Sequence, residues 1–496
     1  MTERASVETH EKERHESAEH EARTEKVKAL RVKGLKPWAS KHDVTLSCQQ
    51  VLEGGEGIVG SLAGRIMTIR GHGKASFCHL QDGSGRLQLY IKEDVVGEQV
   101  YAFFKEFVDS GDLIWVSGES FITKAGELTL RVDKMELLSK CLQPLPEKFH
   151  GLVDAEIKYR QRYLDLMTSP ETRLRFERRS KIISFIRNFL EQNHYLEVET
   201  PMLHPIPGGA AARPFVTHHN ALDSDFYLRI APELYLKRLI VGGFERVYEI
   251  NRSFRNEGIS TRHNPEFTML EFYTAHRDYH FIMDFVTHLL REVTMDICGS
   301  LQIPYGERTI NFNNIRRLSP LQAVLEFGGL SESALEPAAI DATCRKNGAK
   351  IDCATASYQQ KIYALFEATA EEKIVDPVFI VDFPIETSPL ARCDDNNPGI
   401  AARFELFIAG MELSNGYNEL NDPFEQSDRF KGQVQERAGG NDEAMFYDAD
   451  FIKALEYGMP PTVGVGIGID RLVMLLTNTT SIREVILFPA LRKKVE

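Results

Sequence analysis

Arg252-Ser-Phe-Arg-Asn-Glu-Gly-Ile-Ser-Thr-Arg-His-Asn-Pro-Glu-Phe-Thr-Met-Leu-Glu-Phe-Tyr273 sets arginines, a histidine, carboxylates and aromatics between two apolar, strand-like runs, residues 244–251 and 266–273. The middle, residues 256–265, holds the turn formers Asn256, Gly258, Ser260, Asn264 and Pro265. Two strands joined by a long loop are therefore expected. In the second strand a period of two puts Phe267, Met269, Glu271 and Tyr273 on one face. Thr268, Leu270 and Phe272 face the other way and read as core. A flat aromatic and a carboxylate near arginines suit a planar, charged ligand. The same pattern also suits a solvated hairpin with surface ion pairs.

Working outward, Arg403-Phe-Glu-Leu-Phe-Ile-Ala-Gly-Met-Glu-Leu-Ser-Asn-Gly-Tyr-Asn-Glu-Leu420 returns to strand alternation, with a hairpin expected at Ala409-Gly410. A two-residue turn makes Glu405 and Glu412 diagonal neighbours on one face. Two carboxylates there repel unless a cation separates them, and Mg²⁺ bridging phosphate oxygens fits that place. Asn415, Tyr417 and Glu419 share a face out of phase with Glu412, which a bulge over residues 414–416 reconciles. Thr462-Val-Gly-Val-Gly-Ile-Gly-Ile-Asp-Arg471 is a glycine-interrupted strand running into an apolar helix at residues 472–476. Its spacing is not that of a dinucleotide fingerprint. The glycines let a backbone approach a flat ligand closely, with Arg471 at the strand-to-helix corner.

At 496 residues, length predicts about three domains. The composition, 43% hydrophobic and 26% charged, is that of an ordinary globular protein. No run is long and apolar enough to span a bilayer, so no membrane partner is expected. The charged first residues give no signal peptide, and the seven cysteines form no CxxC pair. A reducing cytoplasm is the expected compartment. The net charge of −13 argues against indiscriminate nucleic-acid binding but leaves room for a local basic surface.

Residues 1–28, dense in Glu, Arg and His, are expected to be disordered or a solvated helix. A short basic helix follows, ended by Gly34. Across residues 60–138 five short β runs separated by turns predict a small barrel of the OB type. Phe77, His79, Gln88 and Tyr90 lie on its central strands beside Arg70, Lys74 and Arg86. Such a face either stacks unpaired bases or lends some of its aromatics to the core. Residues 143–151 read as a linker. Residues 160–187 form a strongly basic helical pattern, open to an acidic tRNA, an acidic subunit or solvent. Residues 208–214 are a small-residue loop, and the helix that starts near residue 231 has Pro232 and Glu233 in its first turn. Residues 318–375 read as a helical insertion.

These motifs together resemble class II lysyl-tRNA synthetases over residues 26–491. Three class II motifs occur in order: Glu197-Val-Glu-Thr-Pro201, Phe254-Arg-Asn-Glu257 through Glu271, and Gly466-Ile-Gly-Ile-Asp-Arg471. Four further runs resemble the lysine enzymes in particular: Ile206-Pro-Gly-Gly-Ala210, Ala231-Pro-Glu-Leu-Tyr-Leu-Lys-Arg238, Glu386-Thr-Ser-Pro-Leu-Ala-Arg392 and Asn415-Gly-Tyr-Asn-Glu-Leu-Asn-Asp422. The His/Glu-rich amino end and residues 330–375 depart from the family pattern.

The resemblance implies an α+β fold. An N-terminal OB-fold β-barrel, residues 29–142 with its preceding helix, reads the anticodon. A class II catalytic domain, residues 152–496, carries a central antiparallel sheet flanked by helices. It also implies a homodimer formed partly through the first motif. Lysine attacks the α-phosphate of ATP to give lysyl-adenylate and pyrophosphate, and the lysyl group then passes to the 3′ end of tRNA(Lys). By the resemblance, Arg255 holds the α-phosphate and the lysine carboxylate. Glu257 and Asn264 contact the nucleotide, His263 the phosphates, and Phe267 stacks under adenine opposite Arg471. Glu405 and Glu412 bind Mg²⁺. Gly209, Glu233, Glu271, Tyr273, Asn415, Tyr417 and Glu419 form the lysine pocket, and Phe77, Gln88 and Glu127 read the anticodon.

A substrate ending in an ammonium needs buried carboxylates, which Glu233 and Glu419 supply. A neutral side chain would leave them unpaired at a cost of about 3–5 kcal/mol. Aspartyl and asparaginyl enzymes share the architecture, but their substrates do not suit an acidic pocket. The ligase that attaches lysine to elongation factor P lacks the barrel. A non-enzymatic RNA-binding paralogue would have lost Arg255, Arg471 or the paired glutamates.

Overall fold

The computed structural model describes residues 18–145 and 155–492. Contacts divide the chain into two compact units, Met1–Gly151 and Leu152–Glu496. In the first, strands β1 (Val59–His72), β2 (Ala75–Gln81), β3 (Arg86–Lys92), β4 (Leu113–Ile122) and β5 (Leu128–Ser139) close into a barrel in the order β1-β2-β3-β5-β4. Alternation decides its inside. Cys78, Leu80, Leu87, Leu89 and Ile91 are buried, with Tyr101, Phe104 and Phe107 of helix Glu98–Phe107 in the same core. Phe77, His79, Gln88 and Tyr90, one residue out of phase, face outward and are half-buried.

The amino end differs from a solvated tail over the part that can be described. Residues 18–32 are helical, and Val27 and Leu30 on one face are buried. Arg23 fixes that face by donating to the carbonyls of Ser110, Cys141 and Gln143. A guanidinium satisfying three carbonyls, plus two apolar side chains, outweighs the poor apolar content that suggested disorder. Residues 1–17 and most of the expected linker, from residue 146, lie outside the described residues.

The second unit is built on an eight-stranded sheet of β6 (Leu196–Glu197), β7 (Arg246–Phe254), β8 (Glu266–Ala275), β9 (Arg316–Leu318), β10 (Val378–Pro384), β11 (Ile400–Ile408), β12 (Met411–Asn418) and β13 (Thr462–Gly468). Their order is β9-β10-β11-β12-β13-β8-β7-β6. The six inner strands are antiparallel, and the short β6 and β9 add parallel edges. At the β7 edge, fully buried Arg229 donates to the Arg252 carbonyl at 2.8 Å and pairs with Glu249 at 2.6 Å. One sheet face packs Leu270, Phe272, Phe404, Leu406, Val465 and Ile467 against helices Pro170–Gln192, Tyr279–Cys298 and Ile469–Leu476. The opposite face carries the charged residues.

The β11–β12 hairpin turns on Ala409 and Gly410, both with positive φ (54° and 69°), the geometry of a type I′ turn. Its bulge lies at Leu413, because Glu412 pairs with Phe407 and Ser414 with Leu406. That is one residue before the expected place, and it brings Glu412, Asn415 and Tyr417 onto one face. In the basic segment, residues 160–187, several arginines serve this unit itself: Arg162 pairs with Asp165, Arg175 with Glu484, Arg179 with Asp470 and Arg187 with Glu197. Residues 318–375 share a small core with Val378, Ile380, Phe383 and Ala401 of the sheet, with Phe366 edge-on to Phe407.

Candidate active site

On the charged face the sheet and its loops enclose a cavity of about 450 Å³. Every residue the sequence marks for ATP, lysine or metal lines it. Arg255, Glu257, His263, Asn264, Phe267, Glu271 and Tyr273 come from the opening stretch. Glu405, Glu412, Asn415, Tyr417 and Glu419 come from the hairpin, Gly209 and Glu233 from the preceding loop and helix, and Arg471 from the glycine strand's corner. β8 faces the cavity with Phe267, Met269, Glu271 and Tyr273, while Leu270 and Phe272 are fully buried behind it.

One group of residues is cationic. The Arg255 guanidinium lies 5.2 Å over the Phe267 ring, and its buried Nε has no partner among the described residues. Such an orphaned donor facing a cavity suits an anionic ligand. Arg471 donates to the Glu412 carbonyl and, at 3.3 Å, to His263 Nε2. An arginine only donates, so that ring nitrogen is the acceptor and His263 is neutral. Burial, and then Arg471, hold its pKa below the ordinary range. The cation over Phe267 is therefore Arg255, while Arg471 is held by Glu412 and His263.

Glu405 and Glu412 sit beside this group. Glu405 pairs with Arg403, a half-buried guanidinium two residues back on the same strand face, and accepts from Asn415 at 3.2 Å. Burial pushes its carboxyl up to about 8; Arg403 opposes the shift and Glu412 adds to it. Among the described residues no group of three or more His, Cys, Asp or Glu forms a metal cage. Two carboxylates, completed by phosphate oxygens and water, are the donor set that Mg²⁺ accepts. These residues fit that ion.

The other group is acidic, and it holds a residue that sequence reading missed. Lys237 is wholly buried, with Nζ 2.5 Å from Glu233 Oε1 and in contact with Glu419 Oε2. Tyr417 donates to the same Glu233 oxygen at 2.6 Å, and Tyr273 to Glu271 at 3.2 Å. Burial pulls the Lys237 pKa down, but Glu233 and Glu419 outweigh it and keep the ammonium charged. Burial, then Glu233, push Glu271 up to about 8. The idea that Glu233 and Glu419 wait unpaired for a substrate is thus corrected: both already share one cation. The signal was present as Glu233 and Lys237 at i, i+4 on one helix. Arg403 was likewise legible from its i, i+2 relation to Glu405.

On the barrel, the Phe77 and Tyr90 rings are 4.8 Å apart on the outer face, and Tyr90 meets Phe121 at 6.0 Å. Gln88 donates to Thr129 at 3.2 Å, and exposed Glu127 lies 3.5 Å from His79. The three residues expected to read bases thus lie on one outward face with stackable rings.

Residues 154–492 match the family model of class II tRNA synthetases (D, K and N), and residues 61–138 match that of the OB-fold nucleic acid binding domain. The chain belongs to the class II tRNA synthetases of that group. It is 55% identical over 439 residues to a lysine–tRNA ligase of Bordetella bronchiseptica, covering 87% of each chain. It is 56% identical over 440 residues to that of Cupriavidus taiwanensis, covering 88% of this chain and 85% of the relative. The Magnetococcus marinus enzyme is 54% identical over 436 residues, or 87% of each. The activity is lysine–tRNA ligation, driven by ATP. No described helix is long and apolar enough to cross a membrane.

Proposed function

We propose that the cavity carries out both steps of lysine ligation with the residues that line it. Segregated charge is the observation that carries this reading: Arg255 and Arg471 on one side, Glu233 and Glu419 on the other. The lysine carboxylate oxygen attacks the α-phosphorus of ATP, the bond from that phosphorus to the bridging oxygen breaks, and pyrophosphate leaves. Arg255 donates to both the carboxylate and the α-phosphate and offsets charge as the transition state forms. Phe267 stacks on adenine, with Arg471 released from Glu412 onto its other face. Glu257 and Asn264 hold the nucleotide, and His263 contacts the phosphates. Glu405 and Glu412 would hold Mg²⁺, which shields phosphate charge when bound. Gly209, Glu233, Glu271, Tyr273, Asn415, Tyr417 and Glu419 bind lysine. A terminal hydroxyl of tRNA(Lys) then attacks the lysyl carbonyl carbon, the bond from that carbon to the phosphate oxygen breaks, and AMP leaves with the hydroxyl's proton on its phosphate. In-line placement and charge neutralisation suffice without a general base.

Phe77, Gln88 and Glu127 contact the anticodon. Exposed apolar side chains around the first motif, Leu196, Met202, Leu203 and Val216, favour a homodimer, and free thiols favour the cytoplasm. Pyrophosphate exchange tests the pocket. Glu419→Gln is expected to raise KM for lysine at least about tenfold with KM for ATP nearly unchanged. Equal losses for both substrates would sink the assignment.

A further inference from the structure

Lys237 does not line the cavity; it stands behind Glu233 and Glu419, which do. A buried lysine that only needed neutralising would pair with one carboxylate. This one is shared by two from different elements, helix Glu233–Val241 and the end of β12. The aromatic faces of Tyr417 and Phe451 lie 5.6 and 5.9 Å from its nitrogen, so it has no route to water. With Tyr417 also donating to Glu233 Oε1, each glutamate has one oxygen committed. Glu233 Oε2 and Glu419 Oε1 are the acceptors left, and Glu419 Oε1 lies 2.3 Å from where a Cβ on Gly464 would stand, at the cavity wall.

Resting on the proposed lysine pocket, we propose that Lys237 is a positioning residue that determines specificity for a substrate bearing a primary ammonium. Its buried charge clamps the committed oxygens of Glu233 and Glu419, fixes the direction of the other two, and lowers the pocket's negative charge by one. A single further ammonium then completes the arrangement. Without the clamp, the two carboxylates repel, and they either turn apart or take up a proton. In both cases an incoming ammonium loses its oriented acceptors, whereas the ATP contacts, which involve other residues, are untouched.

The test is pyrophosphate exchange with full-length enzyme carrying Lys237→Met, which keeps the length and removes the charge. KM for lysine is expected to rise at least about tenfold, with KM for ATP within about twofold of the unmodified enzyme. A folded variant with unchanged KM for lysine, or with equal rises for lysine and ATP, overturns the proposal. If Lys237→Met does not fold, Lys237→Met combined with Glu233→Gln removes one charge of each sign and leaves less buried imbalance. The double variant is expected to bind lysine more weakly than Glu233→Gln alone, and equality would overturn the clamp. Glu419→Gln separates the two readings. If it spares lysine, the pocket assignment itself fails; if it weakens lysine while Lys237→Met does not, only the clamp fails.

Discussion

Burial and the neighbouring Glu233 lift the Glu271 carboxyl from its ordinary 4.5 to about 8, so it is protonated at neutral pH. The sign for stability follows. A carboxyl raised on folding contributes fully below its unfolded value, and that contribution is lost as pH rises through the folded value. Stability of the substrate-free chain is therefore expected to fall between pH 4.5 and about 8, in part through Glu271. Glu271→Gln, neutral throughout, should show a shallower decline in melting temperature across that range. An unchanged slope would mean that Glu271 is not a buried acid. Glu405, also near 8, supplies a second part of the slope that the variant keeps.

At the scale of elements, β13 owes its glycines to its neighbours. A methyl group on Gly464 would lie 2.3 Å from both Glu419 Oε1 and the Tyr273 ring, and neither can retreat within a filled pocket. Gly464→Ala is expected to raise KM for lysine at least about tenfold while leaving KM for ATP close to normal, measured by pyrophosphate exchange. A loss confined to ATP would contradict that geometry. Strand faces were legible in the sequence because side chains alternate: Phe267, Met269, Glu271 and Tyr273 read as one face, and so did the turn at Ala409-Gly410. The bulge at Leu413 was legible only as a need, since its position depends on β12 packing between β11 and β13. Which charges meet was not legible. Lys237 with Glu419, Arg403 with Asn415 and Arg23 with distant carbonyls are pairings that only tertiary packing decides.

For the whole molecule, the division into a barrel and a sheet-based unit makes the two recognition tasks experimentally separable. Phe77→Ala removes a half-buried stacking ring from the barrel and leaves the residues that line the second unit's cavity unchanged. Pyrophosphate exchange should stay normal, while kcat/KM for charging tRNA(Lys) falls about tenfold to a hundredfold, the worth of one lost base stack. Full charging activity would remove Phe77 from the anticodon surface. With a net charge of −13, general attraction to RNA is weak, so discrimination is expected to depend on local contacts.

The β7 margin of the large sheet has a consequence beyond catalysis. Its edge partner β6 covers only Val247 and Tyr248, and a longer open margin is a template on which unfolded or foreign chains could polymerise. Arg229 occupies that place instead: its guanidinium takes the Arg252 carbonyl and its own carbonyl receives the Phe254 amide. Together with Val198, whose amide donates to the Tyr248 carbonyl, Arg229 caps this margin from within the same chain, and fewer open groups are left for an added strand.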